Sequence, residues 1–186
     1  GDATLAHTLA TGPLVLAAAA DEDADIAIAL DPDADRCAIG VPTAGSEGAT
    51  PGWRMLTGDE TGWLLGDYLL SSHPDPQHAL VASTVVSSRM LAAIAAHHGA
   101  RHVETLTGFK WLARAGDGLI YAYEEAIGHC VDPDAVRDKD GMTAALVAAE
   151  LAAELADQGK TLLDALDEIA LHFGVVATGQ LSVRVA

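Results

Sequence analysis

Basic side chains are scarce in this 186-residue sequence: 10 Lys and Arg stand against 27 Asp and Glu, a formal charge of -17. Such a balance argues against binding nucleic acid or an anionic membrane surface, because phosphates would be repelled. Cysteine is scarcer still. Cys37 and Cys130 are the only two, which makes no disulfide framework, and neither sits in a metal-type pair. Buried, inert thiols are expected at both. Long hydrophobic runs are missing as well. The longest, Pro13 to Ala20, is too short to cross a bilayer and has no basic segment before it. There is no Walker loop, dinucleotide fingerprint, Gly-x-Ser-x-Gly elbow or HExxH, and no internal repeat. The charges are scattered among apolar segments rather than massed in a tail, which speaks against disorder. A soluble, cytoplasmic protein is expected, its length suiting one large domain or two small ones.

Short β-type runs alternate with longer helical patterns, the signature of an α/β fold with a mixed sheet and helices on both faces. The segment Leu14 to Ala20 favours helix. Asp25 to Leu30 predicts a strand, and Cys37 to Val41 its continuation or a partner beyond an acidic turn. Residues 42–52, dense in Gly, Pro, Ser and Thr, form a hairpin loop or a domain boundary. Thr57 and Glu60 have capping-box spacing, so a helix is expected from there to a point before His73-Pro74. Strands are predicted at Ala79 to Val86, His102 to Leu106 and Leu119 to Tyr123. Between them lie a helix from Met90 to about Gly99 and a short one from Phe109 to Ala115. Helices follow from about Gly141 to Ala156 and from Thr161 to Phe173, the latter with Leu162, Leu166 and Ile169 on one face. Val175 to Val185 alternates like a strand. Trp53, Trp63 and Trp111 are expected in the core or an interface.

Asp31-Pro-Asp-Ala-Asp-Arg36 directly follows an apolar strand. Carboxylates on alternate positions of a tight loop can converge on one hard cation, and packed this closely they repel unless a cation or solvent compensates. An EF-hand would need Gly and Glu where Arg36 and Pro42 stand, and the companion motifs of a haloacid dehalogenase are missing. A solvated acidic turn is the competing reading. Glu124-Glu-Ala-Ile-Gly128, also after a strand, can grip vicinal sugar hydroxyls, although surface glutamates at a turn are the commoner explanation. In Arg137-Asp-Lys-Asp-Gly141, Asp138 or Asp140 caps the next helix. Thr107-Gly-Phe-Lys110 is a strand-to-helix turn whose N–H groups and lysine could hold a phosphate or hydroxyl. Arg36, Lys110, Arg137 and Lys139 are four of only ten cations, and all flank these loops, which suggests an anionic ligand. His97, His98 and His102 cluster without a metal motif and read as surface histidines.

Taken in order, these motifs resemble the α-D-phosphohexomutase superfamily of phosphoglucomutases, phosphomannomutases and phosphopentomutase-like enzymes. Asp31 to Arg36 matches its metal loop, with Pro32 in a glycine place. Leu56 to Glu60 resembles the start of its third domain, and Thr107 to Lys110 its Thr-Gly-[Trp/Phe]-Lys turn. Glu124 to Gly128 matches the sugar-recognition loop, and Arg137 to Gly141 the segment after it. The resemblance implies an α/β phosphohexomutase-type domain 3 (51–174) preceded by part of domain 2 (1–50) and followed by a strand toward domain 4 (175–186). It implies a middle piece of an enzyme, truncated or proteolysed and inactive alone, that moves phosphate between the 1- and 6-positions of a hexose through a phosphoserine and a sugar bisphosphate activator.

On this resemblance Asp31, Asp33 and Asp35 are Mg²⁺ ligands, Arg36 steadies the phosphoryl group and Lys139 assists proton transfer or charge stabilisation. Glu124 holds sugar hydroxyls, with Lys110 and Arg137 on the substrate side. Ala126 stands where the family often has Ser. Aligning on Gly128-His129 instead makes Glu125 the sugar ligand and His129 an acid–base candidate. The implied partners are a phosphosugar and the missing domains 1 and 4 of the same enzyme, with no nucleic acid and no membrane. A phosphopentomutase, a non-catalytic phosphosugar- or metal-binding module and a stand-alone Mg²⁺ phosphatase are the rival readings.

Overall fold

A computed structural model describes residues 2–43 and 52–179 of the chain. The first helix, α1 (Asp2–Asp21), continues through Pro13 and lies against a three-stranded antiparallel sheet of β1 (Ala27–Leu30), β2 (Cys37–Pro42) and β3 (Trp53–Met55). Leu16 and Ala19 of α1 meet Ala27 and Trp53 there. Cys37 pairs with Leu30 and Ile39 with Ile28, so the segment after the acidic turn is a partner strand, not a continuation. Pro42 pairs antiparallel with Trp53; the loop expected over residues 42–52 lies mostly outside the described residues.

The second sheet has the order β5 (Arg101–Thr105), β4 (Leu80–Thr84), β6 (Leu119–Glu124) and β7 (Gly128–Cys130). The first three are parallel, and β7 turns back antiparallel on β6. Successive residues point to opposite faces. Val81, Tyr121 and Tyr123 enter the main core with α2 (Gly58–Ser72) and α3 (Met90–His98). Ala82 and Ala122 face the other way, onto Phe109 and Leu112 of α4 (Phe109–Leu112). Helices therefore cover both faces, as expected.

Two further helices, α5 (Gly141–Asp157) and α6 (Leu162–Phe173), close the main core. Ala144, Ala148, Leu151 and Leu155 form a buried stripe at helical spacing, and Leu162, Leu166 and Ile169 a second one. Ile39 and Val41 of the first sheet enter the same core. One antiparallel bridge, Arg36 to Gly128, stitches the two sheets edge to edge. That stitch sits between the acidic turn and the Glu124 loop.

One expectation needs correcting. Residues 174–179 have no regular structure, so the alternation from Val175 does not make a strand where the chain is described. It lacks a neighbouring strand to satisfy its backbone groups, and alternation alone supplies none. Of the core-or-interface alternatives, Trp53 and Trp63 take the core, whereas Trp111 is 45% exposed and is not a core residue. The short α4 turns only Phe109 and Leu112 inward.

Candidate metal and sugar site

Three loops meet at the sheet junction. The acidic turn after β1 is closed by two bonds: the Ala34 amide donates to the Asp31 carbonyl at 2.9 Å and the Arg36 amide to Asp31 Oδ1 at 3.1 Å. Ala34 takes a positive φ of 58° to make that turn. The result brings one oxygen from each of Asp31, Asp33 and Asp35 within 4.8 Å of one another. Asp31 is nearly buried, and its Oδ2 has no hydrogen-bond partner among the described residues. A buried carboxylate oxygen without a donor is costly unless something cationic meets it. The all-oxygen donor set suits a hard divalent ion such as Mg²⁺. The residues fit the ion.

Charge at the turn is partly balanced from the third loop. Lys139 Nζ lies 2.6 Å from Asp35 Oδ2, and Arg36 Nε 3.9 Å from Asp35 Oδ1. Burial pushes the Asp31 carboxyl above its ordinary range despite the Arg36 amide, and the Asp35 and Asp33 charges push the same way. Burial alone would lower the Lys139 pKa, but the bond to Asp35 outweighs it and the ammonium is held protonated.

Glu124, at the end of β6, is only 6% exposed, and burial raises its pKa against the pull of Lys139 and Arg36. Those two cations are thus shared between the acidic turn and the Glu124 loop. Glu125 turns elsewhere. It accepts hydrogen bonds from Thr84 Oγ1 and Ser87 Oγ, both at 3.1 Å, and lines a cavity of about 650 Å³ with Thr57, Asp59 and Thr107. The adjacent Ile127 has a positive φ of 57°, a costly conformation for a β-branched residue.

Backbone bonds lock the loops in register. The Cys37 amide donates to the Ile127 carbonyl at 3.1 Å, the Asp140 amide to the His129 carbonyl at 2.8 Å, and the Gly141 amide to the Ala34 carbonyl at 3.0 Å. Asp140 also caps α5 through Met142. Asp31, Asp33, Asp35, Arg36, Glu124 and Lys139 are therefore brought together.

The other candidates lie apart from this group. Lys110 reaches over the exposed Trp111 ring, 5.4 Å from its centroid. Arg137 is exposed and lines a separate cavity with His78 and Asp134. His129 is fully buried, stacked beside Tyr121 and Tyr123 and sharing a 3.0 Å hydrogen bond with the Tyr121 hydroxyl. Its burial drives the imidazole pKa down to about 3.

Phe109 was missed by sequence reasoning: its ring lies 6.0 Å beneath the Lys139 ammonium. Its place before Lys110 in the Thr-Gly-Phe-Lys turn was the available signal. Asp59 was missed too, accepting from the Ser88 amide, the Tyr123 hydroxyl and Thr178. Nothing in its local sequence distinguishes it from an ordinary first-turn carboxylate.

An α/β architecture with a carboxylate turn at a strand end and a second, carboxylate-bearing loop beside it defines an α/β domain with a candidate hard-cation site. Residues 57–172 match the family model for phosphoglucomutase/phosphomannomutase, alpha/beta/alpha domain III, and the chain belongs to that family. It is 44% identical over 173 residues to the Haemophilus influenzae protein named "Probable phosphomannomutase", covering 93% of this chain and 34% of that protein. It is 38% identical over 165 residues to the phosphopentomutase of Mus musculus, covering 81% of this chain and 26% of that protein. A phosphoglucomutase/phosphomannomutase family structure from Burkholderia thailandensis superposes with a TM-score of 0.67 at 20% identity, over 89% of this chain and 33% of that one. The chain thus spans about a third or less of the length of these relatives. Among the described residues no helix is long and apolar enough to cross a membrane.

Proposed function

We propose that this chain supplies the metal loop and the sugar-recognition loop of a Mg²⁺-dependent phosphosugar mutase. The reaction is transfer of phosphate between the 1- and 6-positions of a hexose through a phosphoserine and a bisphosphorylated sugar, and that sugar bisphosphate serves as activator. Residues 1–50 form the end of the family's domain 2, 51–174 its domain 3, and 175–186 the approach to domain 4. The observation carrying the reading is the convergence of Asp31, Asp33 and Asp35 beside Lys139, with Asp31 Oδ2 left without a donor.

Asp31, Asp33 and Asp35 would hold Mg²⁺, which when bound neutralises negative charge on the transferring phosphoryl group. Arg36 adds a second positive charge on the same side. Lys139, kept protonated by Asp35, is placed to offer a proton or a charge to an oxygen of the substrate. Glu124 accepts from sugar hydroxyls, and those donors would offset the burial that raises its pKa. Glu125 anchors the loop through Thr84 and Ser87. Lys110, exposed, is left to meet substrate phosphate on the open side, whereas Arg137 lines its separate cavity with His78 and Asp134 and takes no part in the site.

The phosphoserine and the remaining phosphate contacts would come from polypeptide outside this sequence, so the chain alone should not turn over. A pentose substrate is the second reading, favoured by the identity to the mouse phosphopentomutase. Asp33→Asn in the complete gene product tests the proposal. Mutase turnover should fall by several orders of magnitude with the fold retained, and near-normal kinetics would remove the ligand assignment. A panel of hexose and pentose phosphates on the same protein separates the two substrates.

A further inference from the structure

We propose that this chain carries a transition-metal site, separate from the aspartate loop, built on His97 and His172 with Glu168 as third ligand. His97 stands in the last turn of α3 and His172 in the last turn of α6. His97 Nδ1 and His172 Nε2 lie 3.2 Å apart. Two imidazole nitrogens bound at about 2.0–2.1 Å to one tetrahedral ion stand roughly 3.3 Å from each other. The two nitrogens share a hydrogen bond at the spacing of two ligands on one metal, and a bound ion would take the place of the proton between them. The rings meet edge-on, with centroids 4.5 Å apart.

Glu168 lies one turn before His172, the i,i+4 relation that puts two side chains on one helix face. Both residues line a groove of about 410 Å³ that also holds His97, Asp67 and Glu154. Glu168 is engaged by Lys160 at 2.6 Å, but the pair is solvent-exposed, and such pairs contribute about 1 kcal/mol or less. Among the described residues only Asp31, Asp33 and Asp35 have three ligand atoms within 4.8 Å of one another, so Glu168 must leave Lys160 and swing to the histidines, a rearrangement that costs little. His98 Nε2 is engaged by Asp67 Oδ1 at 2.7 Å, which leaves only its Nδ1 for a metal.

Two features say what kind of ion fits. Imidazole donors select zinc, copper or nickel, whereas the all-oxygen turn at Asp31 selects magnesium. Asp67, Glu154 and Glu168 make the groove acidic within a chain of charge -17, which concentrates divalent cations there. Bound there, the ion cross-links α3 to α6, two helices that are distant in sequence.

The test is a calorimetric titration of tag-free Asp33→Asn protein with ZnCl₂ under saturating MgCl₂, which silences the aspartate loop. One saturable zinc equivalent is expected, with affinity in the micromolar range. His97→Asn and His172→Asn should each weaken it about tenfold or more, with unchanged melting temperature in chelator. Glu168→Gln should weaken it by a smaller factor. Zinc affinity unaltered in both histidine variants, or no saturable binding tighter than about 100 µM, overturns the site. Unaltered affinity in Glu168→Gln alone overturns the third ligand.

Discussion

Gly141→Ala perturbs the point where α5 starts against the acidic turn, and its sign decides whether that contact is as close as described. A Cβ at residue 141 would lie 2.5 Å from the Arg36 carbonyl oxygen and 2.7 Å from that of Ala34. Both neighbours are backbone and cannot rotate aside, so turn and helix must part by most of an ångström. The Gly141 amide to Ala34 carbonyl bond at 3.0 Å would go with them. Overpacking of this kind costs about 1–3 kcal/mol, a fall in melting temperature of roughly 3–10 °C at this chain length. Were there room, the same substitution would stabilise by about 0.4–1 kcal/mol, through the lower entropy of the unfolded chain. The separation should also pull Asp35 and Lys139 out of register, and so reduce the rise in melting temperature produced by Mg²⁺. Thermal unfolding by circular dichroism, with and without MgCl₂, reads both effects. An increased melting temperature with an unchanged Mg²⁺ response would refute the reasoning.

Two other perturbations follow from buried charge. Asp31→Asn should raise the melting temperature of the metal-free protein at pH 7 while abolishing its Mg²⁺-induced rise. A carboxylate whose folded pKa is raised gives stability that is present at low pH and lost as pH climbs through that pKa. A metal-free melting temperature that falls instead would show Asp31 to be a structural anchor. His129 has the opposite sign. Its folded pKa of about 3 lies below the ordinary 6.5, so its stability contribution is present above pH 6.5 and is lost as pH falls from 6.5 toward 3. In His129→Phe, urea-unfolding free energy should depend less steeply on pH in that window, and an unchanged slope would contradict the neutral, buried imidazole.

How much was legible depended on how local each cause is. The start of α2 could be read because its cap spans only Thr57 to Glu60. There the Glu60 amide donates to Thr57 Oγ1 at 3.1 Å and Glu60 Oε2 accepts from the Thr57 amide at 2.8 Å. The stripes of α5 and α6 are likewise written in short-range spacing. By contrast, β3 and β7 have three residues each and exist because β2 and β6 offer them backbone partners. No local pattern announces that. The helix expected over Leu14 to Ala20 is longer than that segment, since α1 runs from Asp2 through Pro13 to Asp21. The Lys139 to Asp35 pair and the Arg36 to Gly128 bridge join segments about ninety to a hundred residues apart, so each loop was visible singly while their meeting was not. Nor could the sequence tell Glu124 from Glu125. Alternation along β6 does the sorting, sending one toward the cations and the other toward Thr84.

The same junction also concentrates features that oppose folding. Ala34 and Ile127 occupy the left-handed region in the two loops that touch, at about 1–2 kcal/mol for each L-residue there. Asp31 and Glu124 are buried carboxylates whose pKa values are both raised, Asp31 Oδ2 lacks a donor, and Arg36 Nε has no hydrogen-bond partner among the described residues. None of these helps the packed core of Tyr121, Tyr123 and Leu91, which would be served better by neutral side chains. Among the described residues, two of the three non-glycine residues at positive φ and two of the five unpartnered buried side-chain atoms lie at this one contact between loops, as a site awaiting a cation would show. A purely structural junction gives no reason for them to coincide.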